Sequence, residues 1–258
     1  IEWTDATWNP VTGCTPVSEG CDRCYAAGIA RRFAGTRAFP HGFTVTLHPQ
    51  RLDAPLHWRR PRRVFVNSMS DLFHDQIPDT FIVEVFARMW WAPAHTFQLL
   101  TKRPGRARSL LPRIGEQLHD RAADPALADG PTPLTWPLPN VWLGVSVENQ
   151  RWADSRIPVL LDTAAALHWV SAEPLLGPLN LTGWHGLDWV VVGGESGPGA
   201  RRMQPQWAGS LIAGCQTVGV PVFVKQLGTA WARAHGHPGK AGDPAGWPAD
   251  LRVRQFPT

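Results

Sequence analysis

The chain has 258 residues, of which 43% are apolar and 18% charged, a composition that buries a full core and excludes the disordered and fibrous classes. Its 25 Lys and Arg against 21 Asp and Glu leave a formal charge of +4, a mild basic bias compatible with a polyanionic partner. No run of about 18 apolar residues and no basic-then-apolar opening occurs, so neither a membrane span nor a signal peptide is expected and the protein reads as cytoplasmic.

Along the chain, the first feature is a cluster of three of the four cysteines, Cys14, Cys21 and Cys24, with Gly13 and Gly20 loosening the loop and Tyr25 opening a helix. In a cytosolic chain of this size such cysteines point to metal or redox chemistry rather than to disulfides. Basic residues follow at Arg59, Arg60, Arg62 and Arg63, and again at Arg103, Arg106 and Arg108; a solvated face is as good a reading of each as a phosphate contact.

Short apolar runs at 64–67, 97–100, 141–145, 167–170, 189–192 and 220–224 predict strands. They are nearly continuous rather than alternating, as in strands buried on both faces of a parallel sheet, so a barrel or a doubly wound sheet follows. Helices are expected over 24–33, 79–91, 105–111, 151–161 and 205–218, with Asp79 as an N-cap. The Pro- and Gly-rich 121–139 reads as a surface loop excursion and 231–258 as an irregular C-terminal cap on a single domain. Most of the 14 tryptophans, Trp90, Trp142, Trp169 and Trp189 among them, read as core.

In parallel β/α folds the chemistry collects at the C-terminal strand ends. There this chain places Asn67-Ser68-Met69-Ser70-Asp71, Thr101-Lys102-Arg103, Ser146-Val147-Glu148-Asn149, Ser171-Ala172-Glu173, Gly193-Gly194-Glu195 and Lys225-Gln226. Glu148, Glu173 and Glu195 with Lys102 and Lys225 are expected around one cavity, as donors and acceptors for a polar ligand.

Three thiolates from one short loop suit three irons of a cubane [4Fe-4S] cluster and leave the fourth iron open. The pair Cys21-x2-Cys24 is equally a zinc half-site, with His41 or His48 completing a Cys3His set. Cys215, in an apolar helical stretch, reads as core.

The residues Trp3-Thr4-Asp5-Ala6-Thr7-Trp8-Asn9-Pro10-Val11-Thr12-Gly13-Cys14 and Gly20-Cys21-Asp22-Arg23-Cys24-Tyr25-Ala26, with the strand-end motifs above, resemble the phage Gp37/Gp68-type family (DUF5131, three-Cys-motif) over nearly the whole chain. The resemblance implies a radical SAM-like partial (β/α)6-7 barrel, distantly similar to spore photoproduct lyase, and a three-Cys-motif partner protein. Here six residues separate Cys14 from Cys21, where the commonest radical-enzyme spacing has three. On this reading Cys14, Cys21 and Cys24 hold the metal, and Tyr25, Asn67, Ser68, Ser70, Asp71, Lys102, Ser146 and Glu148 contact S-adenosyl-L-methionine. Glu173, Glu195 and Lys225 face ribose or substrate, which the family's phage context makes a nucleic acid or nucleotide, and an external electron donor is required. The alternative is a non-catalytic, metal-stapled nucleic-acid-binding protein.

Overall fold

The computed structural model describes residues 1–124, 133–180 and 184–257. The chain falls into two compact units, one of Ile1–Thr15, Ala26–Gly144 and Asp162–Leu167, the other of Pro16–Tyr25, Val145–Leu161 and His168–Thr258.

In the first unit, β1 (Ala6–Trp8) pairs in parallel with β4 (Arg63–Val66), which pairs in parallel with β5 (Thr96–Thr101); β6 (Val141–Ser146) follows β5 in the sheet. A small antiparallel pair, β2 (Val11–Thr12) and β3 (Thr46–Leu47), stands apart. The helices are α1 (Tyr25–Arg32), α2 (Asp79–Trp90) and α3 (Pro104–Ala122). Ile82, Val85 and Met89 of α2 are wholly buried, as are Ile114 and Leu118 of α3. Trp3 packs on Phe65 with ring centroids 4.8 Å apart.

In the second unit β7 (Leu167–Ala172), β8 (Trp189–Gly193) and β9 (Val222–Gln226) pair in parallel, with α4 (Gln150–Leu161), α5 (Pro205–Thr217) and α6 (Thr229–Ala234). Every residue of β8 is buried, and Trp169 meets Trp189 at 5.4 Å. Within each unit the strands lie in the order of the chain, β1-β4-β5-β6 in the first once β2 and β3 are set aside and β7-β8-β9 in the second. A doubly wound sheet reverses its order at a switch point, so that alternative falls and a singly wound α/β sheet stands.

The six apolar runs are strands within a few residues of their expected limits. Two expectations need correction. Asp79 is not the N-cap but the first helical residue after Pro78; its carboxylate takes Arg106 at 2.6 Å and lies 3.6 Å from Arg113. The third helix does not stop at Leu111: Pro112 sits inside it, because the apolar spacing of Ala107, Leu110 and Leu111 runs on to Ile114 and Leu118. Part of the 121–139 excursion, 125–132, lies outside the described residues, and the excursion's first two residues close α3. In the tail, α6 and two 3-10 turns lead to 253–255, which bond β9 through Val224 N to Val253 O and Gln255 N to Val222 O, both 2.8 Å. That contact covers a sheet edge that would otherwise stay open to pairing. Among the described residues no helix is long and apolar enough to cross a membrane.

His48, just past β3, is 2% exposed, and its Nε2 meets Thr12 Oγ1 at 2.8 Å. Burial, with Arg51 nearby, pushes its pKa from 6.5 down to about 4. The folded protein therefore refuses a proton that the unfolded chain accepts below about pH 6.5, so stability falls as the pH falls through that window. We expect a loss of about 2 kcal/mol between pH 7 and pH 5 from this residue alone. Denaturant unfolding of His48→Gln at both pH values should show that much less slope than the wild type; equal slopes would refute it.

Candidate functional site

In the first unit the site is built around Cys14, two residues beyond β2. Gly13 has φ +89°, and a Cβ there would lie 2.2 Å from Thr44 O, so only glycine lets the chain pass. Gly13 N donates to Met69 O at 3.0 Å and Cys14 N to Phe43 O at 3.2 Å. The Met69 contact depends on the turn after β4, where Asn67 takes φ +58°, a left-handed conformation that Asn tolerates. That turn is tied to the N-terminal segment: Asn9 Oδ1 accepts from Met69 N at 2.9 Å and Ser68 Oγ at 3.2 Å, and Ser70 Oγ donates to Val11 O at 3.0 Å.

Asp71, 6% exposed, accepts four hydrogen bonds: from Thr101 Oγ1 (2.8 Å), Lys102 N (2.9 Å), Phe73 N (3.0 Å) and Arg103 Nη1 (3.3 Å). The Arg103 side chain also donates to Thr15 O and Oγ1 at 3.1 and 3.0 Å, and its Nη1 lies 3.5 Å from Cys14 Sγ. Burial alone would lower the Arg103 pKa, but Asp71 and the Cys14 sulfur hold it above the usual value. Thr15 Oγ1 meets Nε2 of buried His74 at 2.8 Å, and burial, then the Arg103 charge, keeps that imidazole below its ordinary pKa. The rest of this arginine cluster is structural: Arg106 binds the carbonyls of His74 and Ile77, and Arg108 pairs with Asp162.

In the second unit a 3-10 turn, Glu19–Cys21, carries Cys21, and Cys24 N bonds Cys21 O at 3.2 Å. Ser18 Oγ lies 3.8 Å from Cys21 Sγ and donates to Glu148 Oε1 at 2.9 Å. Glu148 is fully buried and pairs with Arg156 at 3.0 Å, whose Nη1 also holds Ser146 O at 2.7 Å. The Arg156 guanidinium stands 4.1 Å over Trp152, and Trp152 Nε1 donates to Glu19 Oε2 at 2.7 Å. That bond heads the causes that hold the Glu19 carboxyl below its usual range.

Glu195, 5% exposed, is taken up by Arg201 through its backbone N (2.7 Å) and Nε (3.0 Å), and Arg201 reaches on to Glu19 O at 2.8 Å. Burial would raise the Glu195 pKa, but the Arg201 hydrogen bonds hold it below the usual carboxylate range. Glu173 pairs with Lys225 at 3.0 Å, their side chains 15% and 16% exposed. Tyr25 exposes about half its surface (49%), while burial of its hydroxyl end, beside the Cys24 and Glu173 charges, pushes its pKa up. A Cβ at Gly193 would fall 2.5 Å from Glu173 Oε1, and one at Gly194 2.5 Å from Leu227 O, so close approach accounts for both glycines of that triplet.

None of the four cysteines forms a disulfide; Cys14, Cys21 and Cys24 are partly exposed, and Cys215 is buried with its thiol pushed up to about 12 by burial. Among the described residues no group of three or more His, Cys, Asp or Glu is gathered to hold a metal ion, and the Nε2 of His48 is engaged with Thr12. Taken unit by unit, the surroundings of the thiols suit an iron–sulfur ligand in kind: in the first unit Cys14 faces a guanidinium and in the second Cys21 faces a hydroxyl, both suited to a charged sulfur.

Sequence reasoning placed Arg103 in a basic cluster and in the strand-end run Thr101-Lys102-Arg103 but gave it no role at the site, and it missed Arg156, Arg201, Ser18, Glu19 and Trp152. A signal existed for Arg156: with Ala153, Ile157 and Leu160 it occupies the buried stripe of α4, and a charge in such a stripe demands a buried partner.

A family described as a protein of unknown function, DUF5131, matches the chain over residues 1–247. No curated protein and no solved structure matches it.

A Cβ at Gly20 would stand 2.3 Å from Glu148 Oε1, whereas one at Gly28 of α1 would meet nothing within 4 Å. Gly20→Ala should cost about 1–3 kcal/mol through this overpacking, and Gly28→Ala should be neutral or stabilising by about 0.5–1 kcal/mol. Calorimetric melting of the two variants separates them, and equal melting temperatures would contradict the packing of the Cys21 turn on Glu148.

Proposed function

The chain belongs to the DUF5131 family, and from the chemistry of its own loops we propose that it is a radical S-adenosylmethionine enzyme whose Cys14, Cys21 and Cys24 hold a [4Fe-4S] cluster in a partial β/α barrel. The observation that carries the reading is that the only partly exposed cysteines among the described residues are these three, and that each loop bearing them is braced by buried arginine–carboxylate pairs. When bound, such a cluster supplies one electron to S-adenosylmethionine and so yields a 5′-deoxyadenosyl radical able to abstract hydrogen.

The chain's own residues divide into holders and contacts. Asn67, Ser70 and Asp71 shape the turn that presents Cys14, and Glu148 and Ser146 fasten the Cys21 turn through Ser18 and Arg156. Ser68 and Lys102, both partly exposed, are the polar groups of the first unit suited to the cofactor's methionine end. In the second unit Glu173 and Lys225, with the Tyr25 hydroxyl, are suited to ribose or substrate, and Glu195 orients Arg201. A nucleic acid or nucleotide substrate agrees with the net charge of +4 and with exposed Arg59 and Arg60 beside Arg62, which lies 5.2 Å over Trp58. An external electron donor and a three-Cys-motif partner protein complete the proposal.

The test is anaerobic iron and sulfide analysis with electron paramagnetic resonance of the reduced protein, with and without S-adenosylmethionine. About four irons per chain, a spectrum altered by the cofactor and release of 5′-deoxyadenosine are expected, all abolished in Cys14→Ala, Cys21→Ala and Cys24→Ala. Cofactor cleavage retained by any of these variants sinks the assignment. One zinc with no iron, and salt-dependent nucleic-acid binding without cleavage, would replace it with a metal-stapled binding protein.

A further inference from the structure

Arg103 stands at the N-cap of α3, yet its side chain turns to the Cys14 loop. Its Nη1 lies 3.5 Å from Cys14 Sγ and 3.3 Å from Asp71 Oδ2, and its Nη2 lies 3.0 and 3.1 Å from Thr15 Oγ1 and O. These contacts fix the plane of the guanidinium, on an Arg103 side chain that is 14% exposed against an Asp71 side chain that is 8% exposed. Thr15 Oγ1 passes the network on to His74, 1% exposed. The sulfur therefore faces a cation with its donors directed by three neighbours rather than a lysine-like charge swinging in solvent.

We infer that Arg103 is the outer-shell donor to the Cys14 sulfur and that it raises the reduction potential of the cluster Cys14 helps to hold. This rests on the cluster assignment above. A hydrogen bond and a positive charge at a ligand sulfur draw negative charge from it. They favour the reduced, more negative state of the cluster over the oxidised one, and hydrogen bonds to sulfur are among the determinants of iron–sulfur potentials. Asp71 acts through Arg103: by taking one donor position of the fork it sets the direction in which the other faces. Arg103 is thus a positioning residue, and its loss should move a potential rather than merely lower a rate.

The experiment uses the reconstituted holoprotein as wild type, Arg103→Gln and Arg103→Lys, each titrated anaerobically against redox mediators and followed by electron paramagnetic resonance. At unchanged iron and sulfide content, Arg103→Gln should shift the midpoint to more negative potential. Arg103→Lys, which keeps a cation beside Asp71 but loses the planar fork, should shift it the same way by less. The lysine variant carries the test if the glutamine variant leaves Asp71 unpaired and fails to fold. A midpoint unmoved in both variants overturns the inference while leaving the cluster assignment standing; a wild type that assembles no cluster overturns both.

Discussion

A carboxylate taken out of water must find a cation, and the cysteine loops of this chain depend on that requirement. Asp71, Glu148 and Glu195 are each nearly or wholly buried and each is met by an arginine, Arg103, Arg156 and Arg201. Such pairs add little net stability, because the desolvation of both ions offsets their attraction, but breaking one from a single side costs about 3–5 kcal/mol. Their effect is to permit one loop geometry and penalise the others. Each pair also extends to a cysteine loop: Arg103 to Thr15 and Cys14, Arg201 to the Glu19 carbonyl, and Glu148 through Ser18 to the turn of Cys21.

Glycine supplies the complementary constraint. At Gly13, Gly20 and Gly193 the approach of a carbonyl or carboxylate leaves no room for a Cβ. At Gly13 the positive φ demands glycine as well, so the chain reaches Cys14 along a path that no other residue could follow without strain. Polar pairing pulls the loops inward, and the glycines let them come as near as the pairing requires.

The strands were legible in the sequence because strands buried on both faces leave unbroken apolar runs, as in 189–193, where every residue is buried. The limits of α3 were not, because the rule that proline ends helices was outweighed by burial of Ile114 and Leu118 beyond Pro112. Of the site, the cysteines and strand-end carboxylates stood out by residue type and position. Their partners did not, since nothing local marks them: Ser18 meets Glu148 across 130 residues of sequence, and Arg201 meets Glu19 across 182. A polar residue at a strand end announces that it is placed there, not whether its hydrogen-bonding capacity is already filled.

That capacity separates residues that hold from residues that touch. An ionised carboxylate accepts about four hydrogen bonds, and Asp71 has four donors, so it retains none for the ammonium of a ligand. Glu195 is filled by the hydrogen bonds of Arg201, with Arg23 a further 3.8 Å away, and Glu148 has no exposed surface. Glu173 differs in both respects, with one lysine at 3.0 Å and 15% of its side chain exposed. Of the three glutamates at the strand ends, Glu173 is therefore the one whose chemistry remains available, and it lies in the same unit as the Tyr25 hydroxyl whose pKa its charge helps to raise.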